Sequence, residues 1–232
     1  MRITETAIPG LLIIDLDVHG DNRGWFKENW QREKFTGLAP ELASFQPVQN
    51  NISFNHAGAT RGLHAEPWDK LVSVAQGKIF GAWCDLREGS ESFGEVVTHE
   101  VGPETAVFVP RGVANGFQAL EETSYCYLVN EHWSAEARYA AVNLNIVDWP
   151  LEPTEISEKD KQHPALTDVS PMPARRILVT GANGQLGRAL KRLLTDAEFC
   201  SHADFDITDP PERNWKQYSA IINCAAYNDV NG

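Results

Sequence analysis

Residues 58–77 have the sequence GATRGLHAEPWDKLVSVAQG, which begins and ends with glycine. The apolar runs Lys70–Ala75 and Lys78–Asp85 flank Gln76-Gly77, a dipeptide typical of a tight turn. Two short apolar runs on either side of such a turn predict a β-hairpin. The stretch therefore indicates β structure.

Similar short runs extend in both directions from this stretch. Glycine, proline and asparagine residues separate these apolar runs. The runs, including the one within the stretch itself, are Leu11–Leu16, Leu71–Ala75, Ile79–Cys84, Val107–Val109 and Tyr125–Val129. No long segment has the 3.6-residue period of an amphipathic helix. From Leu11 to about Val147 the sequence therefore predicts a mainly β fold, either a sandwich or a barrel.

The next segment is rich in proline and charge. Its prolines are Pro150, Pro153, Pro164, Pro171 and Pro173. Proline fixes φ and removes a hydrogen-bond donor, so this segment cannot form a central strand or a long helix. We interpret it as a C-terminal wrap over the β domain, followed by a linker at residues 169–174.

Composition excludes several classes of protein. The chain has 232 residues and a net charge of −12, without the basic surface that binding to nucleic acid requires. No run approaches the roughly 18 apolar residues of a membrane span, and the N-terminus does not resemble a secretion signal. Four widely spaced cysteines, with no Cys-x-x-Cys pair, predict buried thiols in a reduced, cytoplasmic protein.

The spacing of glycines and polar residues in 58–77 resembles the first motif of the cupins, in which two histidines and a glutamate bind a metal. Here Glu66 occupies the second histidine position and Lys70 the glutamate position. Residues 110–115 resemble the second cupin motif, with Asn115 in place of its metal-binding histidine. An ammonium group repels a divalent cation, so we predict a cupin-like double-stranded β-helix (jelly roll) with no metal site.

The residues that remain at these positions suit proton transfer from carbon. His64 can act as a base, and Lys70 can stabilise the oxygen of the resulting enolate. Arg61 would face away from His64 on a regular strand, so a bend at Gly62 must bring both inward. His64 is equally compatible with a hydrogen-bonded core histidine that has no catalytic role.

Residues 1 to about 168 resemble the dTDP-4-dehydrorhamnose 3,5-epimerase family. Seven matching segments occur in the family's order: residues 20–28, 48–53, 61–64, 70–72, 108–112, 125–127 and 156–160. The resemblance implies a metal-independent epimerase without a cofactor, acting on a dTDP-linked 4-keto sugar. It also implies a homodimer, with the N-terminal strand exchanged between subunits as one possibility.

The resemblance also implies roles for individual residues. His64 falls at the position of the catalytic base, and Tyr127 at that of the acid on the opposite face of the sugar. The positions that imply substrate binding are Arg23, Glu28, Gln49, Asn51, Arg61, Lys70, Asn115 and Trp133. Trp133 aligns with an aromatic residue that could stack on thymine or on the sugar.

Two departures from the family pattern concern catalysis. Asn115 replaces a histidine, and residues 141–150 lack the Asp-Pro segment whose aspartate orients the catalytic histidine in the family. We therefore expect His64 to lack its carboxylate partner, unless Asp148 substitutes for it. The alternative function is a catalytically decayed cupin that binds a sugar nucleotide and serves a reductase.

From Arg175 the pattern changes to that of a partial α/β Rossmann domain. The short strand Arg176–Thr180 precedes a glycine-rich turn, and Arg188–Leu194 follows with helical spacing. Such glycines let a pyrophosphate approach the backbone at the start of the helix. The candidate cofactor-binding residues are Gly181, Asn183, Gly184, Gln185, Leu186, Gly187, Asp206 and Ala225.

Residues 180–187, 206–209 and 223–227 resemble the start of dTDP-4-dehydrorhamnose reductases, which are short-chain dehydrogenases using NADPH or NADH. The two halves together resemble bifunctional epimerase–reductase chains. Only 58 residues follow Ala174, and neither Tyr218 nor Tyr227 has a lysine four residues later. We therefore expect residues 175–232 to be an N-terminal fragment of a reductase domain, with reductase activity only in a longer chain.

Overall fold

The computed structural model describes residues 1–226 of the chain, so Tyr227 of the last reductase-like motif lies outside the described residues. Two compact units are present: the first covers Met1–Pro173, and the second begins at Ala174. None of the described helices is long and apolar enough to cross a membrane.

The first unit consists of two antiparallel sheets and a small hairpin. In chain order its strands are β1 (Arg2–Glu5), β2 (Leu12–Asp15), β3 (Val18–Asp21), β4 (Gly24–Lys27), β5 (Gln49–Asn55), β6 (Thr60–Ala65), β7 (Lys70–Gln76), β8 (Ile79–Asp85), β9 (Val96–Val101), β10 (Thr105–Val109), β11 (Val113–Ala119), β12 (Thr123–Val129) and β13 (Ala140–Ala141). The first sheet has the order β1-β2-β10-β7-β12-β5 and the second β13-β6-β11-β8-β9, while β3 pairs with β4. The mainly β prediction is confirmed.

Apolar cores cover both faces of the central strands, and this explains why these strands are continuous apolar runs, whereas the edge strands β5 and β9 are partly exposed. Val72 of the first sheet and Trp83 of the second belong to the core between the sheets. Outside the first sheet lie two short helices, α1 (Arg32–Thr36) and α2 (Pro40–Ala43), which contribute Phe35 and Leu42 to a second core. Outside the second sheet, Val142 and neighbouring residues of the C-terminal segment form a third.

The prediction of a hairpin at Gln76-Gly77 is wrong. A turn is present, but β7 pairs with β10 and β12, whereas β8 pairs with β9 and β11. The chain therefore crosses from one sheet to the other at this turn. A turn signal reports that the chain reverses direction, and it does not report which strands then pair.

The C-terminal segment of the first unit folds back over the second sheet, as the proline pattern predicted. Ala59 forms a parallel bridge with Glu155, and Arg87 forms one with Met172. Its helix α3 spans Glu158–Lys161. The main-chain N–H of Met172 donates to the carbonyl of Leu86, and Nη1 of Arg111 donates to the carbonyl of Pro173, so the residues assigned to a linker are hydrogen-bonded to the first unit as far as Pro173.

The second unit contains a three-stranded parallel sheet. Its central strand β14 (Arg176–Thr180) lies between β15 (Glu198–Cys200) and β16 (Tyr218–Asn223), and helix α4 spans Gln185–Leu190. This arrangement agrees with the expected opening of an α/β domain. Of the four cysteines, Cys84, Cys126 and Cys200 are buried, whereas Cys224 is partly exposed, contrary to the expectation that all four are buried.

Candidate active site

The first unit contains a cavity of about 560 Å³ between the two sheets and the C-terminal segment. Among the residues that line it are six of the ten candidates from the sequence: Asn51, Arg61, His64, Lys70, Asn115 and Tyr127. His64 lies on β6 of the second sheet, and Tyr127 lies on β12 of the first. The candidate base and acid therefore approach the cavity from facing sheets.

The bend predicted at Gly62 is present. Gly62 has φ of 114°, a conformation that favours glycine, and an added Cβ atom would lie 2.5 Å from Cα of Gly116. The pairing of β6 with β11 also shifts register at this point. As a result Arg61 and His64 both line the cavity, although they are three residues apart on one strand.

His64 has a carboxylate partner, which corrects the expectation that it has none. Oδ1 of Asp160 lies 2.8 Å from Nε2 of His64. Asp160 lies in α3, where the Ser157 side chain caps the helix and accepts the N–H of Asp160. The main-chain N–H of Gly62 donates to the other carboxylate oxygen at 3.2 Å. Asp148, the suggested substitute, is exposed.

This pairing determines which nitrogen of His64 is basic. Burial alone would raise the pKa of Asp160, but the hydrogen bond and the positive charge that His64 can carry outweigh it and lower that pKa. Asp160 is therefore ionised at neutral pH and accepts the Nε2 proton of His64. The lone pair then resides on Nδ1, which becomes the nitrogen that can remove a proton.

Two of the cupin ligand positions hold an ion pair. Nζ of Lys70 lies 2.6 Å from Oε2 of Glu66, and the same oxygen accepts the indole N–H of Trp68 at 2.9 Å. Nζ of Lys70 also lies 4.8 Å from the centre of the Tyr127 ring. Lys70 is buried, so its ammonium group is held at a fixed position on the cavity wall.

Tyr127 is half-buried beside this ion pair. Burial raises the pKa of its hydroxyl, and the nearby negative charge of Glu66 raises it further. The hydroxyl therefore keeps its proton at neutral pH and can donate it. Tyr127 also packs against the core residue Tyr125, with ring centres 5.8 Å apart, so a packing role and an acid role are compatible.

Asn115 is tied to two buried aromatic residues. Its Oδ1 accepts the indole N–H of Trp83 at 2.9 Å, and its Nδ2 donates to the hydroxyl of Tyr125 at 3.1 Å. These bonds fix the orientation of the amide at the cavity wall. Unlike the histidine that it replaces, this amide does not titrate.

Four candidates lie apart from this group. Gln49 donates to Oδ1 of Asn51, a lining residue, at 3.0 Å, and it accepts the main-chain N–H of Trp133, so Trp133 is one residue further from the cavity. Arg23 pairs with Asp21 on an exposed turn, and Glu28 pairs with Lys34. Neither Arg23 nor Glu28 is among the described residues that line the cavity.

Sequence reasoning missed Asp160 and His163. The ring of His163 packs edge-on against that of His64, with centres 5.0 Å apart and an interplanar angle of 81°. Asp160 belongs to a segment that resembled the family, but nothing local indicated its contact with a residue 96 positions earlier. His163 carried no signal beyond its spacing of three residues from Asp160.

In the second unit, the glycine-rich turn packs closely against neighbouring backbone. Gly181 has φ of 70°, and an added Cβ atom would lie 2.5 Å from the main-chain nitrogen of Ala225. Ala182 and Gly187 are buried, whereas the side chains of Asn183, Gln185 and Leu186 are exposed. Asp206 accepts hydrogen bonds from Thr208. The turn can therefore present backbone N–H groups to a phosphate.

Comparison with known proteins extends these observations. Residues 5–168 match the family model described as dTDP-4-dehydrorhamnose 3,5-epimerase, and residues 175–232 match that of the RmlD substrate binding domain. An RmlC homolog of Streptococcus pyogenes is 52% identical over 176 residues, 71% of this chain and 89% of its own length. A dTDP-4-dehydrorhamnose 3,5-epimerase of Pseudomonas aeruginosa is 34% identical over 184 residues, 75% of this chain and all of its own.

Solved structures agree with these matches. RmlC of Streptococcus suis in complex with dTDP-D-xylose is 47% identical, with a TM-score of 0.68, covering 74% of this chain and 94% of that one. An RmlC epimerase of Legionella pneumophila in complex with dTDP-4-keto-L-rhamnose is 30% identical, with a TM-score of 0.65, covering 72% and 93%. The chain belongs to the dTDP-4-dehydrorhamnose 3,5-epimerase family.

Proposed function

We propose that the first unit, with its epimerase domain at residues 1–168, inverts C3 and C5 of a dTDP-linked 4-keto-6-deoxy-hexose in dTDP-L-rhamnose biosynthesis. One observation carries this proposal. His64, paired with Asp160, lies on one sheet, and Tyr127 lies on the sheet that faces it. Inversion at carbon requires a base on one face of the sugar and an acid on the other.

The chemistry proceeds through an enolate. Nδ1 of His64 removes the proton from C3 or C5, and the electron pair of the C–H bond moves to the oxygen of the C4 ketone. The ammonium group of Lys70 stabilises the negative charge on that oxygen. Tyr127 then donates its proton to the same carbon from the opposite face, and the ketone re-forms. Side chains of the protein supply the charge that stabilises the enolate, so the proposed reaction is metal-independent.

The remaining lining residues would hold the nucleotide sugar. Nε of Arg61 donates to Oδ1 of Asn55 at 2.7 Å, which orients the guanidinium group and leaves its terminal nitrogens for the pyrophosphate. Asn51 and Gln49 offer amide groups, and Asn115 lies at the cavity wall. Trp133, whose side chain is exposed beside Gln49, would stack on the thymine base.

A homodimer would account for Arg23 and Glu28. These residues flank Trp25 and Phe26, which are 48% and 64% exposed, and the edge strand β5 exposes Ile52 at 68%. Exposed apolar residues of this size favour a protein–protein contact. We propose that two copies associate through these surfaces, and that Arg23 and Glu28 of each copy bind the substrate in the other's cavity.

The second unit would bind NADP(H) or NAD(H) as the first part of a linked 4-keto reductase. Its support is the parallel sheet with a glycine-rich turn after the central strand, where backbone N–H groups meet the cofactor phosphates. Residues 169–174 would connect the two domains. The four cysteines are free, which is consistent with a cytoplasmic protein.

The alternative of a decayed, sugar-nucleotide-binding cupin loses its principal support. That alternative rested on a histidine without a carboxylate and on Asn115. Asp160 supplies the carboxylate, and Asn115 is satisfied by Trp83 and Tyr125 rather than left without a role.

Solvent deuterium exchange distinguishes the two functions. The chain is incubated with the dTDP-linked 4-keto sugar in D₂O, and deuterium at C3 and C5 is followed by NMR. An epimerase incorporates deuterium at both carbons and inverts them, and the His64→Ala variant does neither. Binding of the nucleotide sugar without any exchange would establish the decayed cupin instead.

A further inference from the structure

The two ring nitrogens of His163 are buried and make no well-formed hydrogen bond. The side chain is only 7% exposed, and among the described residues these nitrogens have weak contacts with the backbone of Gly62 and with Asp160. A buried polar group without a well-formed hydrogen bond is costly and uncommon, which points to a ligand of this ring.

Metal-ligand atoms of two other residues lie close to this ring. Nε2 of His163 lies 3.8 Å from Oδ1 of Asp160, and the same oxygen lies 2.8 Å from Nε2 of His64. One ligand atom from each of the three residues falls within 4.8 Å of the other two. A Zn²⁺ ion with bonds of about 2.0–2.2 Å to nitrogen and oxygen can bridge such a triangle after small shifts.

We propose that His64, Asp160 and His163 form a binding site for a zinc-class divalent cation, and that this cation inhibits the enzyme. Two imidazoles and one carboxylate favour Zn²⁺ or Co²⁺ over Mg²⁺ and Ca²⁺, which prefer oxygen ligands. The site shares only His64 with the cupin ligand positions. The fourth ligand is a water molecule on the cavity side.

The three side chains are already held in place by the fold. Asp160 lies in α3, and His163 follows directly after the C-cap of this helix, so the end of the helix sets the position of both residues. The main-chain N–H of Gly62 donates to Oδ2 of Asp160, which leaves Oδ1 for the cation. Asn143 donates to the carbonyl of His163 at 3.3 Å and so fixes the loop after the helix.

The charge of the cavity does not prevent binding. Arg61 and Lys70 also line it, but Lys70 is paired with Glu66. Asp160 is ionised, and both histidines bind the metal as neutral rings. A divalent cation therefore enters a region in which positive and negative side chains are already balanced.

Inhibition follows from the ligands used, and this part of the inference rests on the proposed epimerase function. A cation on Nε2 of His64 replaces the proton that Asp160 now accepts. The neutral ring then carries its proton on Nδ1, so the nitrogen that should remove the substrate proton has no free lone pair. Asp160, bound to the cation, can no longer stabilise a protonated His64.

The test compares cation binding with turnover in the full chain after treatment with EDTA. Binding of Zn²⁺ and Mg²⁺ is measured by calorimetry, and the geometry is read from the visible spectrum with Co²⁺. We expect one Zn²⁺ per chain, a tetrahedral Co²⁺ spectrum and no Mg²⁺ binding. Turnover should fall as Zn²⁺ is added and recover with EDTA.

His163→Phe keeps a ring against His64 but removes a ligand, and His163→Asn provides a second variant if the first folds poorly. Either should weaken Zn²⁺ binding roughly 10–100-fold or more. The matched control is His99→Phe, because His99 is an exposed residue of β9. It should bind Zn²⁺ as the unchanged chain does.

Equal Zn²⁺ affinity in the unchanged chain and in folded His163 variants would overturn the proposal, as would the absence of binding by the unchanged chain. Zn²⁺ binding through His163 in a chain without deuterium exchange would support the site and contradict the proposed function. The two proposals therefore fail separately.

Discussion

Glu66 lies 2.6 Å from Lys70, and this ion pair occupies two positions that would bind a metal in other cupins. Glu66 holds the ammonium group beside the Tyr127 ring and also raises the pKa of the Tyr127 hydroxyl. One carboxylate thus supports both the cation that stabilises an enolate and the acid that returns the proton.

Glu66→Gln should destabilise the protein, because it leaves the buried Lys70 charge without its counter-charge. We expect a loss of about 1–3 kcal/mol in the free energy of unfolding, measured with urea. Glu100→Gln is the control, since Glu100 forms an exposed pair with Lys78. Glu100→Gln should change the free energy of unfolding by no more than about 0.5 kcal/mol. If the two substitutions lowered this free energy equally, the buried pair would have no special structural role.

Asp160→Asn should lower kcat by about 10²–10⁴-fold with little change in KM. The amide cannot stabilise a protonated His64, and it can hold the wrong tautomer of the ring. Steady-state turnover of the dTDP-linked 4-keto sugar measures the effect. Asp148→Asn, a change at an exposed residue, should leave kcat unaltered. The reverse ranking of the two variants would identify Asp148 as the partner of His64.

His64→Ala and Tyr127→Phe should fail at different steps. Without His64 the proton is not removed, so deuterium exchange and inversion should both fall by about 10²–10⁴-fold. Tyr127→Phe keeps the base and the ring, so exchange should continue while inversion is lost. NMR in D₂O measures both in one sample. Equal losses below roughly tenfold in the two variants would indicate that the chemistry uses other residues.

Arg23→Ala and His64→Ala should complement each other in mixed dimers. Each variant alone should be nearly inactive, but a mixed dimer has one cavity with both residues intact if Arg23 reaches the other copy's cavity. After the subunits are reassorted, about half of the dimers are mixed, so turnover should recover to about a quarter of the unchanged value. If the subunits reassort and turnover does not recover, Arg23 acts in the cavity of its own subunit.

Asp85 should make stability depend on pH. Burial alone would raise its pKa, but hydrogen bonds from Arg87, Ser90 and Ser92 outweigh burial and lower the pKa to about 2. A lowered pKa adds stability above the unfolded-state value near 4, and this contribution is lost as the pH falls towards 2. Asp85→Asn should therefore cost about 2 kcal/mol at pH 7 and less at pH 3, as measured by thermal unfolding. A cost that does not change with pH would refute the shift.

The sequence predicted much of the fold because its local signals agreed with the structure. Short apolar runs became strands, and the glycines at Gly62 and Gly181 adopted the conformations that a bend and a phosphate-binding turn require. The pairing at Gln76-Gly77 could not be predicted, since the strands on each side find their partners far away in the chain. Pairing between distant strands is a property of the whole sandwich.

The same limit applies to the site. His64, Lys70 and Tyr127 were identified because a motif or a resemblance marked each position. The sequence does not reveal Asp160 as the partner of His64, because the family pattern places the aspartate in residues 141–150 and the contact depends on how the C-terminal segment folds back. Arg23 and Glu28 matched the family pattern, but one chain alone does not bring them to the cavity.

The separation of His64 from Asp160 also affects how the enzyme is made. At ordinary translation rates the ribosome needs roughly 5–20 s to extend the chain by the 96 positions from His64 to Asp160. Both sheets of the first unit are complete by Ala141, before α3 exists. The nascent β-sandwich therefore carries its histidine unpaired, and the base is oriented only when the last part of the domain leaves the ribosome.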